Sequence, residues 1–530
     1  MKHEKPLPKI YTMDGETDPF LYNRRPLAFA WGFYSDDVWE YTWGNNSTDE
    51  MYRIIYEMEP GIIFMHNGGR FDIFYWLKYV DIDKPMLIIK TRITVCYIKC
   101  RNGWHEVRDS YKIMPYPLSA YKKDEIDYTT FERKVRNKHK TKIVDYLKGD
   151  CKYLWELCTK FLEKFGNNVT IGGTAMKELK KFYDTGKCLT ESQDSEIRED
   201  YYFGARVECF QKGIIKGKKD SIKVYDVNSM YPYVMGHFEH PIGWPSGEGN
   251  KIDKETFFIT AEGKNYGAFP KRTKEGVKFD IEDGIFNVTI HEWRSALSLG
   301  LFTPKRIIRT VHFSECTRFD RYINFFYSSR QRATRDGDKI NSLFYKFLLN
   351  NSYGRFSINP KNYMDYKIVG IGENLLSEGW TPAFEIEEFG YSIWTQPSKF
   401  SKLNNVAIGA SITGAARSVI MEAIPKSTRP LYCDTDSLIC ESLSGVPIDD
   451  TKLGAWKLEK TGNKIAIYGR KGYAVFNGSE CVKYACKGVR ITPEQIVAAA
   501  NGDVIEYHQD APTFGLDGSA KFITRHVRLT

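Results

Sequence analysis

The sequence predicts a multidomain chain of α/β and α+β layers, and three observations carry that prediction. Its 530 residues are too many for one hydrophobic core, since a domain runs to roughly 100–200 residues. Short strand-like runs through residue 120 are followed by a stretch with helical rhythm. A polar, loop-like passage at 184–199 then breaks the chain before strands and helices resume.

In chain order, KIYTMD, GIIFMHN, PMLIIKT and RITVCYIKC read as strands between turn signals. From Ile143 to Phe165, apolar residues at 143, 147, 151, 154, 158, 161 and 162 keep to one helix face. Past the break, SIKVYDV reads as a strand, and Gly/Pro-rich material covers 241–270. A basic helical block follows, then an irregular stretch over 357–405 and a strand–turn–strand pattern over 431–440.

The composition narrows the class. A hydrophobic fraction of 42% and a charged fraction of 27% exclude wholesale disorder. The leading MKHEKPLPKIYTMDGE lacks the apolar core of a signal peptide. The absence of an uncharged apolar run of eighteen residues leaves no membrane partner to expect. Eleven cysteines without a C-x-x-C or a Cys/His zinc spacing fit reduced thiols and a cytoplasmic location. The net charge of +9 is unevenly spread: RKVRNKHKTK (133–142) holds six Lys/Arg and no carboxylate, and 304–346 holds ten Lys/Arg against four Asp/Glu. Two basic runs separated by acidic motifs point to phosphate-facing patches.

The acids fall into two sets. Asp14 and Glu16, two apart at a strand end, reach one site because alternate strand residues share a face. HNGGRFD supplies Asp72, and Tyr146 and Asp150 lie four apart on the helical stretch. Four such acids repel one another unless cations neutralise them, and hard divalent ions suit a site made only of oxygens. In the second set, VYDVNSMYP places Asp226 at the end of an apolar strand. LYCDTDS places Asp434 and Asp436 about a tight turn, on one face by period two. Between these motifs, Lys339, Lys346, Asn350 and Tyr353 make a polar stripe on a helix, suited to the phosphates and ring system of a nucleoside triphosphate.

Taken together, D-x-x-S-x-Y-P, K-x-x-x-N-x-x-Y-G and Y-x-D-T-D-S resemble the ordered A, B and C motifs of family B DNA polymerases. D-x-E, N-x-x-x-F-D and Y-x-x-x-D resemble the three motifs of their proofreading exonucleases. Tyr202-Phe203-Gly204-Ala205 and Lys471-Gly472-Tyr473 resemble the junction and K-x-Y motifs, so the matches span Asp14 to Tyr473. The short chain and its two irregular segments resemble the protein-primed replicases of phages with linear genomes, the tectivirus type above all.

The resemblance implies a ribonuclease H-like 3′→5′ exonuclease domain over 1–190 and a right-hand polymerase over 191–530. Within the latter it implies a palm at about 200–240 and 404–478, a first insertion at 241–318 and fingers at 319–356. A second insertion at 357–403 and a small thumb at 479–530 complete it. It further implies that Asp226 and Asp436, with Asp434 alongside, hold two Mg²⁺ or Mn²⁺ ions, and that Asp14, Glu16, Asp72 and Asp150 hold two more. Tyr146 orients water, and Lys123 is an added cation. Tyr231 excludes a ribose 2′-hydroxyl, Tyr353 packs on the nucleotide, Lys346, Arg332 and Arg335 meet phosphates, and Asn350 supports their helix. Asn67, Phe71 and Ser110 hold a frayed strand, while Tyr202, Gly204, Lys471 and Tyr473 contact primer and template. Asn351 and Tyr111 depart from the family pattern, which has serine and leucine there; neither removes a metal ligand. The implied partners are template and primer DNA, dNTPs, a terminal protein primer and a single-stranded DNA-binding protein, in the cytoplasm of a bacterial host. The competing readings are a family B polymerase restricted to nucleic-acid primers and a non-catalytic DNA-binding replication factor.

Overall fold

The computed structural model describes residues 7–19, 26–89, 92–186, 188–359, 362–387, 390–397, 405–508, 513–514, 520–521 and 524–528; the expected boundary at 403–404 lies outside them. The first unit is a seven-stranded mixed sheet in the order Trp39–Trp43, Ala28–Tyr34, Lys9–Thr17, Gly61–Met65, Gly103–Asp109, Ile93–Cys100, Leu87–Ile88. Its three central strands are parallel and the outer ones antiparallel. Every residue of Gly61–Met65 is buried, the reason that strand reads as an unbroken apolar run. The helix Lys140–Phe165 crosses one face, where Thr12 Oγ1 donates to Cys151 O at 2.8 Å. Gly32 lets the helix approach, since a Cβ there would stand 2.9 Å from Leu147.

The second unit centres on a five-stranded antiparallel sheet in the order Trp456–Gly462, Ile222–Val227, Ser437–Cys440, Tyr432–Asp434, Val207–Cys209. Helices Met230–His237 and Val406–Ala423 share its core with the antiparallel pair Asp320–Arg335 and Lys339–Phe356. Val406–Ala423 has the length and apolarity of a membrane span, yet it is buried nearly all round, as a core helix is. A further sheet, Glu480–Cys486, Gly472–Asn477, Lys464–Gly469 and Gly213–Lys216, packs on helix Pro493–Ala500. A small hairpin, Ile505–His508 with Thr524–Val527, follows it.

Three passages fold more regularly than they read. The polar break contains helix Glu191–Asp200, started by a reciprocal cap between Thr190 and Gln193 that offsets its lack of an apolar face. The Gly/Pro-rich stretch contains the ten-residue strand Thr256–Asn265, paired on both sides. The irregular stretch forms the sheet Met364–Gly370, Tyr391–Pro397, Thr381–Ile386. Its Ile368, Ile386 and Ile393 join the core of the first unit, where Tyr391 Oη donates to Val80 O at 3.3 Å. Strands stabilised by a distant partner carry little local signal.

The second basic run is partly neutralised. Lys305 and Arg306 both pair with Glu262, and Arg309 bridges Glu248 and Glu196. Of that run, only the part carried by the two antiparallel helices turns toward the cleft described next.

Candidate active sites

Asp226 pairs in register with Ser437, and Val227 N donates to Asp436 O at 2.8 Å, so two distant motifs meet at the floor of one cleft. The cleft measures about 1030 Å³, and Asp226 and Asp436 line it with Tyr231, Arg330, Lys346 and Tyr353 among others. Burial, then the charge of Asp436, pushes the Asp226 carboxyl up to about 7. Burial, with the neighbouring Asp434 also contributing, raises Asp436 to about 6. Two acids held this way gain from a cation placed between them.

Asp434 is placed differently. Thr435 takes a left-handed φ of 61°, and Asp436 N donates to Asp434 O at 2.6 Å, so the tight turn itself separates the two acids. Asp434 lies outside the lining that Asp436 joins, although Asp434, Ser437 and Asp226 stand in register across the sheet. Asp434 forms an ion pair with Lys471 and accepts from Thr435 Oγ1 at 2.9 Å and Tyr432 Oη at 3.3 Å. Lys471 is itself left-handed (φ 59°) and donates its backbone N–H to Tyr432 Oη at 2.8 Å. Tyr473 is 4% exposed and packs on Tyr432 with ring centroids 5.0 Å apart, beneath the surface rather than on it.

On the cleft's other wall, Lys346, Asn350 and Tyr353 share one face of Lys339–Phe356, while Lys339 at the helix start stands outside the lining. Burial, reinforced by Arg330, lowers the Lys346 ammonium pKa. Arg335 lines the cleft, but Arg332 does not: it projects elsewhere and donates to Ser329 Oγ at 3.3 Å. Arg330 and Gln331 take its place. The signal for them was helical spacing, since 327, 330, 331 and 334 stand at i, i+3, i+4 and i+7. Tyr202 lines a neighbouring pocket of about 410 Å³ with Gly354 and Asn359, and Gly204 is exposed nearby in sequence.

The first acidic set also converges. Burial, then Asp150, pushes Asp14 up to about 7; burial and neighbouring carboxylates raise Glu16 and Asp72, and burial raises Asp150. Lys123 Nζ stands 3.6 Å from Asp150, and Tyr128 Oη lies 3.3 Å from Tyr146 Oη. Glu16 Oε1 and Asp150 Oδ1 are buried without any hydrogen-bond partner. Unpaired buried carboxylate oxygens are costly, and such oxygens fit divalent metal. Among the described residues no three His, Cys, Asp or Glu side chains form a ready-made cage, so the fit rests on these unpaired oxygens and on mutual repulsion.

Around that set, Asn67 is exposed in a left-handed conformation (φ 60°), and its Oδ1 accepts from Arg92 at 2.7 Å. Arg92 is held in turn by Asp109 at 2.7 Å. Phe71 is half-buried, edge-on to Tyr75. Ser110 is 0% exposed and hydrogen-bonds to Met65 O and His66 Nδ1 at 3.2 and 3.0 Å. It holds His66 rather than presenting a surface, and neither His66 nor Arg92 stood out in the sequence.

A family described as DNA polymerase type B, organellar and viral, matches residues 107–388. The DNA-directed DNA polymerase of Enterobacteria phage PRD1 is 43% identical over 98% of both chains. The DNA polymerase of Bacillus phage phi29 is 26% identical over 88% of this chain and 86% of that one. In structure, phi29 DNA polymerase complexed with primer-template DNA superposes with a TM-score of 0.75 at 19% identity, over 99% of this chain and 100% of that one.

Proposed function

The chain belongs to the type B DNA polymerases, organellar and viral, and on that premise we propose that it copies a DNA template, proofreads 3′→5′, and starts each strand of a linear genome on a terminal-protein hydroxyl. The observation that carries the reading is the meeting of Asp226 and Asp436 at the floor of a cleft walled by Lys346, Arg330 and Arg335. Acids below and cations opposite suit a triphosphate held between them.

In this reading the exonuclease domain covers 1–190, and the sheet of 222–227 and 432–440 is the palm. The helices of 320–356 are the fingers, the sheets of 247–312 and 364–397 are the two insertions, and the segment after 478 is the thumb. Lys346, Arg330 and Arg335 bind the phosphates, and Tyr353 and Tyr231 bound the sugar and base. Asp226 and Asp436 would hold two divalent ions, Mg²⁺ or Mn²⁺, as would Asp14, Glu16, Asp72 and Asp150. Such ions supply Lewis-acid stabilisation of attacking and leaving oxygens when bound. The primer 3′-hydroxyl, positioned by Lys471, attacks the α-phosphate in line with the leaving pyrophosphate. In the exonuclease site, Tyr146 orients the attacking water and Lys123 offsets charge beside Asp150.

Primed-template extension tests this reading. Asp436→Asn is expected to slow extension by roughly 10³-fold, as the loss of a transition-state-stabilising group does; wild-type rates in that variant would end the polymerase assignment. Coupling of a dNMP to a terminal protein separates protein priming from a polymerase restricted to nucleic-acid primers.

A further inference from the structure

The basic run 133–142 takes no part in either site. It covers the turn Arg136–His139 and the start of helix Lys140–Phe165, with Arg133, Lys134, Lys138 and Lys142 exposed. It lies beside Trp39–Trp43, the edge strand of the seven-stranded sheet. Trp39, Tyr41 and Trp43 alternate along that strand and so share a face. Lys140 Nζ stands 5.4 Å from the Tyr41 and Trp43 rings, and Lys148 Nζ 5.6 Å from Trp39. Trp39 and Tyr41 stack at 6.3 Å, Tyr41 is 40% exposed, and Trp43 Nε1 is fixed by Asn137 Oδ1 at 3.0 Å.

We propose that this row of rings and lysines is a second nucleic-acid site, which takes the displaced, non-template single strand. Rings flanked by lysines match the two chemistries of a single strand, base faces and phosphates, without demanding a sequence. The register ties the row to the exonuclease: Asp14 pairs with Gly32 and Gly32 with Tyr41, so all three share a sheet face. The helix residue Leu147 packs over Gly32 between them. That ridge separates the row from the carboxylates, where a primer 3′ end would go, and the incoming triphosphate has its own cleft in the second unit. At a fork the template is paired with the primer behind the site and with the departing strand ahead of it, so the strand that stays single, with bare bases and phosphates to offer the row, is the one that synthesis peels away. This step rests on the polymerase reading.

The test uses a forked primer-template with a 5′ single-stranded flap, a chain-terminated primer and metal-free buffer. In the full chain carrying Tyr41→p-benzoylphenylalanine, photocrosslinking is expected to label the flap strand. Labelling of only the primer or template, or of none, overturns the proposal. In parallel, Tyr41→Ala with Lys140→Ala and Lys148→Ala is expected to weaken flap binding roughly 5- to 150-fold. The log–log salt slope should fall by about 1.4 for two lost cations. Extension of an open, unforked template by the same variant is expected to match wild type, and Tyr41→Phe to keep flap binding. Unchanged flap binding would make the lysines mere guards of an edge strand and sink the proposal. The polymerase reading fails separately, if Asp436→Asn extends normally.

Discussion

Tyr231 and Tyr353 lie face to face, ring centroids 3.8 Å apart and 12° from parallel, one from the motif after Asp226 and the other from the helix of Lys346. The pair joins two walls of the cleft, and in the proposed reading it bounds the nucleotide sugar. Shortening Tyr231 to valine is expected to admit ribonucleotides, lowering the deoxy-to-ribo ratio of kcat/KM by at least about tenfold, since shape rejection by a lost ring exceeds 1.4 kcal/mol. Single-nucleotide insertion kinetics with both substrates decide this. Tyr353→Phe, which keeps the ring, should retain discrimination.

The Lys471–Asp434 pair makes the two acids of the turn unequal. Asp434→Asn is expected to slow extension less than Asp436→Asn, and chiefly by freeing Lys471. In a double-mutant cycle, Lys471→Met should then add little to Asp434→Asn, a coupling of about 1–3 kcal/mol. Additive losses in primer-terminus affinity would refute the link.

The metal-free cleft is expected to favour acid. Asp226 and Asp436 titrate near 7 and 6 in the folded chain, against about 4 for an unfolded carboxyl. Raised carboxyls hold protons that the unfolded chain has lost, so their contribution to stability falls as pH rises from about 4 to 7. Thermal melts of metal-free protein should show this loss relative to Asp226→Asn. Because metal must displace those protons, the half-saturating Mg²⁺ concentration should climb below pH 6, which extension assays across pH will report.

Removing Asp14 and Asp150 together is expected to cut 3′-end degradation by roughly 10³-fold or more while leaving extension of a matched primer intact. Lys123→Met should cost less and shift the pH profile of degradation, because it removes the cation 3.6 Å from Asp150. Single-strand digestion followed by gel length analysis separates the two effects.

The sheet of 364–397 is anchored in the core of the first unit, so its whole deletion would strip that core of Ile368, Ile386 and Ile393. The proposal that this insertion helps to keep the enzyme on its template is tested by loosening the contact with Phe384→Ala and Tyr366→Ala, at a cost of about 1–3 kcal/mol. The expected outcome is shorter products per binding event in the presence of a DNA trap, at an unchanged rate of single insertion.

The sequence alone determined the fold class, the order of the motifs and the acids that gather at each site. Asp226, Asp436, Asp14 and Asp150 were legible because they stand in short strings of particular residue types in a fixed order. Tertiary structure alone decided what those strings face. A left-handed turn residue, Thr435, set Asp434 against Lys471 and Asp436 into the cleft. Helix phase exchanged Arg332 for Arg330 in the cleft lining, and burial set Ser110 against His66. The sheet of 364–397 was illegible because its stabilising partner lies some three hundred residues upstream, as the 311-residue separation of Val80 and Tyr391 shows. Local patterns record which residues are near in the chain; direction and burial depend on what packs against them from elsewhere.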